Sequence, residues 1–509
     1  MPSEPNNNLY DIFSACFPAD MDGNFLQTNS GETVSYAMLE RESARIANYL
    51  VELGARPGDR VTVQVDKSPA VICLYLACLR AGLVYHPLNN AYQRDELAYF
   101  LGDAKPRIVV CTAQARPLFE SLAEEAELLT VLTLNSDQSG SLRDGAKGCG
   151  QNFETVSRKA GDLAALLYSS GTTGRPKGIM LSHENLAANG KTLVKAWGFT
   201  QDDCLLHALP IFHVHGLFVA IHCVLLSGAR LHWLSKFDAD EVIAALPRCT
   251  VMMGVPTFYT RLLASPALSQ AACDTMRLFI SGSAPLLTDT FEAFSVRTGH
   301  TIVERYGMSE TGMNTTNPLR GERRAGTVGP ALPGVELRVV NERGVALNAG
   351  EAGNLQVRGR NVFSAYWQLP EKTAQSFTED GFFDTGDKAR ISADGYVSIV
   401  GRSKDMIICG GLNVYPKEIE LLLDELPQVL ESAVIGVPHA DFGEAVVAVL
   451  VLNTGCSMLE QDIIGYCKPR IANFKLPKRV FVIDALPRNT MGKVQKNLLR
   501  ERYANACQG

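Results

Sequence analysis

The stretch DLAALLYSSGTTGRPKGIML, Asp162 to Leu181, decides how the rest of the chain is read. DLAALLY has the apolar run of a buried strand and GIML that of a second, with Ser182 placed to cap a following helix. Between them the glycines allow backbone N–H groups to converge on an anion, Thr172 and Thr173 add hydroxyl donors, and Lys177 brings a mobile charge. Gly-Thr-Gly alone would suit a surface hairpin equally well, but the longer run points to phosphate binding. The P-loop needs Gly, four residues, then Gly-Lys-Ser/Thr, with the hydroxyl residue on Mg2+; here Gly178 follows Lys177 and the glycine spacing differs. The phosphate is therefore gripped in another way.

Outward from this hairpin, RVTVQV, PAVICLYLACLRAG, VYHPL and RIVVCT, between Arg60 and Thr112, alternate strand, amphipathic helix and strands, which predicts βαβ units in a parallel sheet. A second alternating series runs from Cys204 to Tyr306, and short β-rich pieces between turns fill Gly326 to Val400. After GRSKDMIICGG the alternation resumes. The expected fold is α/β: two wound αβ subdomains and a β-barrel-like subdomain in residues 1–403, then a small α+β domain, 404–509, of ordinary domain size.

Composition narrows the function classes. The 509 residues carry a net charge of −6 with no polybasic block, which speaks against a nucleic-acid partner. The longest apolar runs, Ala70–Leu79 and Leu217–Leu226, fall short of the ~20 residues of a membrane span. The N-terminal stretch has neither the apolar core of a secretory signal nor Arg-rich transit character. Thirteen cysteines without a C-x-x-C pair fit a reducing, cytoplasmic location. His207, His213 and His215 in HALPIFHVHGL lack the further ligands of a zinc site. GMSETG, with two residues between Ser309 and the last Gly312, is not the serine-hydrolase elbow.

YSSGTTGRPKG resembles the phosphate loop of the adenylate-forming superfamily of acyl-CoA synthetases, luciferases and peptide-synthetase adenylation domains. YGMSETG (Tyr306–Gly312), TGD (Thr385–Asp387), GRSKDMIICGGLNVYPKEIE (Gly401–Glu420) and PRNTMGKVQKNLLR (Pro487–Arg500) resemble its later motifs in the same order. Ser169 and Ser309 stand where that family often has Thr, and Asn354 where it often has Glu; the hydroxyl chemistry is kept. The resemblance implies a two-step reaction. A carboxylate attacks the α-phosphorus of MgATP to give an acyl-adenylate and pyrophosphate, and a thiol then displaces AMP.

By that resemblance ATP is held by Ser169, Ser170, Gly171, Thr172, Thr173, Gly174 and Lys177. Gly282, Ser283, Ala284 and Tyr306 surround the adenine, Asp387 and Arg402 bind the ribose, and Gly307, Met308 and Ser309 belong to the same ATP site. Glu310 would hold Mg2+, and Lys493 would bridge the attacking carboxylate and α-phosphate, where converging cations matter most. Lys404 is the implied hinge, Gly410, Gly411 and Tyr415 the CoA side, and His213 the residue between acyl and thiol sites.

In GVPTFYTRLLAS, Pro256 suits a helix start and places Phe258, Arg261 and Leu262 on one face. Arg261 either snorkels to solvent or meets a second carboxylate on the substrate, since an unpaired buried carboxylate is costly. Together with ALPIFHVHGLFVA and LESAVIGVPHADFGE, this run is similar to the malonyl-CoA synthetase branch, which implies the second role for Arg261 with His207, Ser283 and Met313 beside it. The implied substrates are malonate, with methylmalonate possible, ATP and CoA. A medium-chain or aryl acyl-CoA synthetase is the nearest alternative. A non-catalytic adenylate sensor is disfavoured because Lys177, Glu310 and Lys493 are all present.

Overall fold

The computed structural model describes residues 6–125, 130–170, 176–284, 286, 288–402, 406–414, 416–487 and 494–507, with the side chains of 124, 125, 169, 170, 400–402, 417 and 421 excepted. The architecture is mixed α/β, with a large N-terminal part and a small C-terminal one.

The first βαβ series builds a seven-stranded sheet in the order Ala365–Tyr366, Pro176–Ser182, Leu163–Ser170, Val84–Pro87, Arg60–Gln64, Ile108–Cys111, Thr130–Thr133. Its strands from Leu163–Ser170 to Thr130–Thr133 are parallel, and the phosphate-loop hairpin adds an antiparallel edge. The second series builds an eight-stranded sheet with Leu278–Ser281, Val251–Gly254, Cys204–His207 and Arg230–Trp233 at its parallel centre. Its far edge is the pair Asn24–Thr28 and Thr33–Ser35, in which Leu26 lies opposite Leu231. That pair is too short for a local period to announce, and its partner strand is about two hundred residues away in sequence.

One hydrophobic cluster joins strands of both sheets to the helices Tyr36–Glu52, Pro69–Arg80 and His183–Trp197. The sequence predicts an amphipathic helix at 69–80, but every residue of Pro69–Arg80 is buried. A helix with apolar surface all round must be covered on all sides, here by the shared core. Arg80 closes its C-terminal end by donating to the carbonyls of Glu40 and Phe153, with its guanidinium 4.4 Å from the Tyr10 ring. His183–Trp197 starts as expected at Ser182, whose hydroxyl accepts from the N–H of Asn185 while the Asn185 side chain accepts from the N–H of Ser182.

The β-rich segment is an antiparallel sheet of Val335–Val340, Gly353–Gly359, Phe383–Ile391 and Val397–Arg402. Beyond it, a five-stranded sheet holds Leu412–Val414, Ile407–Cys409, Gly443–Leu452, Val429–His439 and Arg479–Val482. Each face of that sheet has its own hydrophobic cluster, and both clusters consist only of residues beyond 406.

Arg277 ties the second sheet to the end of the helix His183–Trp197. Its Nε and Nη2 donate to the carboxylate of Asp203 at 2.7 and 2.6 Å, and Nη1 to the carbonyl of Trp197 at 2.9 Å. Burial pushes the Asp203 pKa up, but Arg277, the N–H of Thr200 and the Thr250 hydroxyl outweigh it and hold the carboxyl below its ordinary value. A depressed carboxylate contributes stability above its unfolded pKa that is lost as pH falls through the folded one. Arg277→Met should therefore destabilise the protein by about 2 kcal/mol at pH 7, less than for a fully buried pair because Arg277 is 32% exposed. Calorimetry should show the gap to wild type narrowing toward acid pH; a gap independent of pH would refute the assignment.

Candidate active site

The site lies where the two sheets and the β-rich segment meet. In the hairpin, Tyr168 faces Gly178, Ser169 faces Lys177 and Ser170 faces Pro176. Gly171, Thr172, Thr173 and Gly174, predicted to hold phosphate, lie outside the described residues, as do the side chains of Ser169 and Ser170. The hairpin is anchored from below by the Tyr99 hydroxyl on the Pro176 carbonyl, 2.7 Å, and by the Tyr168 hydroxyl on Asp103.

Tyr366 links the hairpin to the second predicted motif. Lys177 Nζ lies 5.0 Å from its ring, and its hydroxyl donates to Glu310 Oε1 at 3.2 Å. Glu310 is buried in the turn between Val303–Met308 and Gly312–Thr316, and its carbonyl accepts from the N–H of Phe363 at 2.7 Å. Glycine is required in this turn. A Cβ on Gly307 would lie 2.1 Å from the Gly312 carbonyl oxygen, and Gly312 has φ +57° against the Asn189 side chain.

Tyr306 and Asp387, predicted on adenine and ribose, meet directly: the Tyr306 hydroxyl donates to Asp387 Oδ2 at 2.6 Å. The Asp387 backbone is fixed by the Thr385 hydroxyl, 3.1 Å, and faces Arg402 across the sheet; the Arg402 side chain is outside the described set. Gly282, Ser283 and Ala284 follow the strand Leu278–Ser281 into the same region. Ser283 has φ +71° and its hydroxyl lies 3.2 Å from Nδ1 of His215.

The histidines are neutral groups. Burial, then Arg305, pushes the His213 pKa down to about 4, and His215 is lowered by burial, Arg305 and the other histidines. His207 is stacked on Trp233 at 5.0 Å with Nε2 2.9 Å from the Gly216 carbonyl oxygen, and burial lowers it as well. Met313 is buried against Gly307.

The sequence reading missed Arg305. It is 4% exposed, and its guanidinium makes no hydrogen bond or ion pair among the described residues; Nε and Nη2 are both buried without a partner. It lies across Gly282, where a Cβ would fall 2.4 Å from its Cζ and Nε, and it acts electrostatically on Tyr259, His213 and His215. Burial lowers its pKa to about 9, so the group is still a cation at neutral pH. A buried charge of this kind needs an anion. The available signal was a guanidinium inside the apolar strand run TIVERYGM, next to the recognised Tyr306 but on the opposite face of the strand.

Arg261 has a partner among the described residues. It is 44% exposed at the end of Pro256–Ala264, and its Nε and Nη2 bind the Asp441 carboxylate at 2.9 and 2.7 Å.

Gly410 and Gly411 turn with φ +58° and +79°, and a Cβ on Gly411 would lie 3.1 Å from Val255, so the small domain closes here against the large one. Leu412 and Asn413 thereby reach a cavity of about 80 Å³ shared with Tyr168, His213 and Ser309. A second cavity of about 500 Å³, lined by Val65, Ile211, Phe237 and Phe258, shares the walls Pro87, Leu88 and Phe212. Lys404, Tyr415 and Lys493 fall outside the described residues.

Among known proteins, the AMP-binding enzyme family matches residues 19–367 and the AMP-binding enzyme C-terminal domain matches residues 418–493. The chain belongs to the AMP-binding enzyme family and is an AMP-forming acyl-CoA synthetase by class, an acid–thiol ligase. It is 32% identical to the malonate–CoA ligase of Arabidopsis thaliana, over 99% of this chain and 90% of that one. It is 52% identical to ATP-bound MatB from Rhodopseudomonas palustris, with TM-score 0.79, covering 99% of this chain and 100% of that one. A malonyl-CoA ligase in a ternary product complex with methylmalonyl-CoA and AMP is 36% identical, with TM-score 0.81, 94% of this chain and 100% of that one.

The His213 assignment has a direct check. Selective labelling and proton NMR should show the ring neutral down to about pH 5; a midpoint above 6 would contradict the burial described above.

Proposed function

We propose that this chain converts malonate, ATP and CoA to malonyl-CoA, AMP and pyrophosphate through a malonyl-adenylate. The observation that carries the choice of acid is Arg305, a buried cation packed across Gly282, next to the predicted acyl residue Ser283, without an anion among the described residues. A dicarboxylate leaves one carboxylate free to react and offers the other to that guanidinium, which a fatty-acyl tail cannot do. The malonate ligases among the relatives support the same reading. Arg261 keeps a part in binding malonate only where its ion pair with Asp441 is open.

In the first step a carboxylate oxygen forms a bond to the α-phosphorus while the α–β phosphoanhydride bond breaks and pyrophosphate leaves. Lys177, the glycine-rich hairpin and Lys493 supply the charge that offsets repulsion between two anions. Tyr306 and Asp387 orient the nucleoside, with Arg402 opposite. Mg2+ fits the donors present: it favours oxygen ligands and is commonly held by one or two carboxylates together with substrate phosphates, and Glu310 is a buried carboxylate beside Lys177 and Tyr366. When bound it would neutralise phosphate charge. In the second step the CoA sulfur attacks the acyl carbon and the bond to AMP breaks. His213, held neutral at the cavity where Leu412 and Asn413 enter, can orient the incoming thiol without adding a charge there, its lowered pKa making it too weak a base to hold the thiol proton.

The boundary at Lys404 and a hinge there belong to this reading, supported by the separate cores beyond residue 406. So does a cytoplasmic location, supported by thirteen unpaired cysteines and by the lack, among the described residues, of a helix long and apolar enough to cross a membrane. Methylmalonate adds one methyl group, worth only ~1–3 kcal/mol of discrimination, and is expected as a second substrate.

Arg305→Leu should lower kcat/KM for malonate by about 10² to 10³, the effect of removing one partner of a buried charge pair, while KM for ATP stays within about twofold. Malonate-dependent ATP–pyrophosphate exchange, with butyrate as a monocarboxylate control, is the measurement. Undiminished exchange with malonate would overturn the proposal.

A further inference from the structure

Among the described residues, three ionic contacts of very different character hold the small domain against the large one. Two are peripheral. Arg261 pairs with Asp441, each nearly half exposed, and Arg470 approaches Asp95 at 3.9 Å with side chains 35% and 63% exposed. The third is buried. Lys475, in the turn Asn473–Lys475, lies with Nζ 2.7 Å from Glu96 Oε1 and 2.7 Å from Glu418 Oε1, and the three side chains are 2%, 7% and 10% exposed. Glu96 belongs to the large domain, on the helix Arg94–Ala104, whereas Glu418 is on Pro416–Asp424 of the small one. The Tyr92 ring faces the same ammonium at 4.9 Å.

Exposed pairs contribute little to binding, and a buried one returns little net energy once desolvation is counted. What a buried pair does provide is discrimination among orientations. With the domains displaced by a few ångströms but still dry, Glu96 would be a buried charge without its cation and Lys475 would keep only Glu418; fully separated, water solvates the exposed groups. The contact therefore penalises near-miss docking far more than undocking. Burial opposes the charge on Lys475, but Glu418, Tyr92 and Glu96 outweigh it and keep the amine protonated.

We propose that Lys475, clasped between Glu96 and Glu418, is a positioning residue: it selects the single docked orientation in which Leu412 and Asn413 meet His213 for thiol transfer. The proposal rests on the two-step reading given above. It assigns Lys475 to the second step and leaves adenylation to other residues.

Glu96→Gln is the informative variant, because a glutamine oxygen can still accept from the N–H of Gln93 in the capping box at the start of its helix. Malonate-dependent ATP–pyrophosphate exchange should stay within about twofold of wild type. Single-turnover transfer from preformed adenylate to CoA should slow at least tenfold. Equal loss in both steps, or unchanged transfer, would overturn the proposal. A second measurement needs no substrate. In an Asp95→Cys, Arg470→Cys protein, a short bifunctional thiol reagent should form an intramolecular cross-link between the two positions, and adding Lys475→Met should lengthen its half-time at least fivefold. An unchanged half-time, or no cross-link in the parent, counts against the latch. If the wild-type enzyme exchanges pyrophosphate with no malonate, the functional reading has failed, and the cross-linking result still decides the role of Lys475.

Discussion

The structure depends on one layer of buried helix that both sheets must share. Pro69–Arg80 is buried along its whole length, and the hydrophobic cluster that contains it reaches strands of each sheet, so the two sheets share one core. This constraint sets where chemistry can occur. Strands packed about a common layer send their loops to a common seam, and the phosphate hairpin, the Ser309–Thr311 turn and the Gly282–Ala284 segment all meet there, as ligand sites of wound α/β sheets do.

Charge inside this framework is handled in two ways. Arg80 is buried and Lys67 half-buried, each with backbone carbonyls as acceptors, Lys67 donating to those of His207 and Leu234 at 2.9 and 2.6 Å. Such cations are finished parts of the fold. Arg305 has the same depth of burial as Arg80 without acceptors among the described residues. Lys475 is a third case, since one of its carboxylates arrives only when the small domain docks. A buried charge whose partner is a ligand or another domain is a functional group for the same reason that a self-satisfied one is structural.

Much of this was legible in the sequence. The hairpin strands, the Ser182 cap, the helix start at Pro256 and the strands Val429–His439 and Gly443–Leu452 follow from local apolar patterning and capping chemistry, and the structure shows each of them. The edge pair at Asn24–Ser35 did not, because strands this short take their definition from a remote partner. The environment of Arg261 was also hidden. Helical spacing could rank its exposure, but Asp441 is 180 residues further along and no local pattern connects the two. Arg305 was overlooked for a related reason: an arginine beside a recognised tyrosine reads as part of the motif, and only the packed structure shows that its Nε and Nη2 are buried without a partner among the described residues.

Gly282 carries a consequence for how such a pocket can diverge. Any side chain at 282 would occupy the volume of the Arg305 guanidinium, so the two positions are not free to vary independently. On the proposed reading of Arg305, a lineage drifting toward acids without a second carboxylate would have to give up the arginine before residue 282 could grow into its space. The reverse order passes through a protein with an overfilled wall and a displaced cation. History in this pocket thus has a direction: charge is surrendered before volume is gained, and the way back to a diacid begins with a glycine.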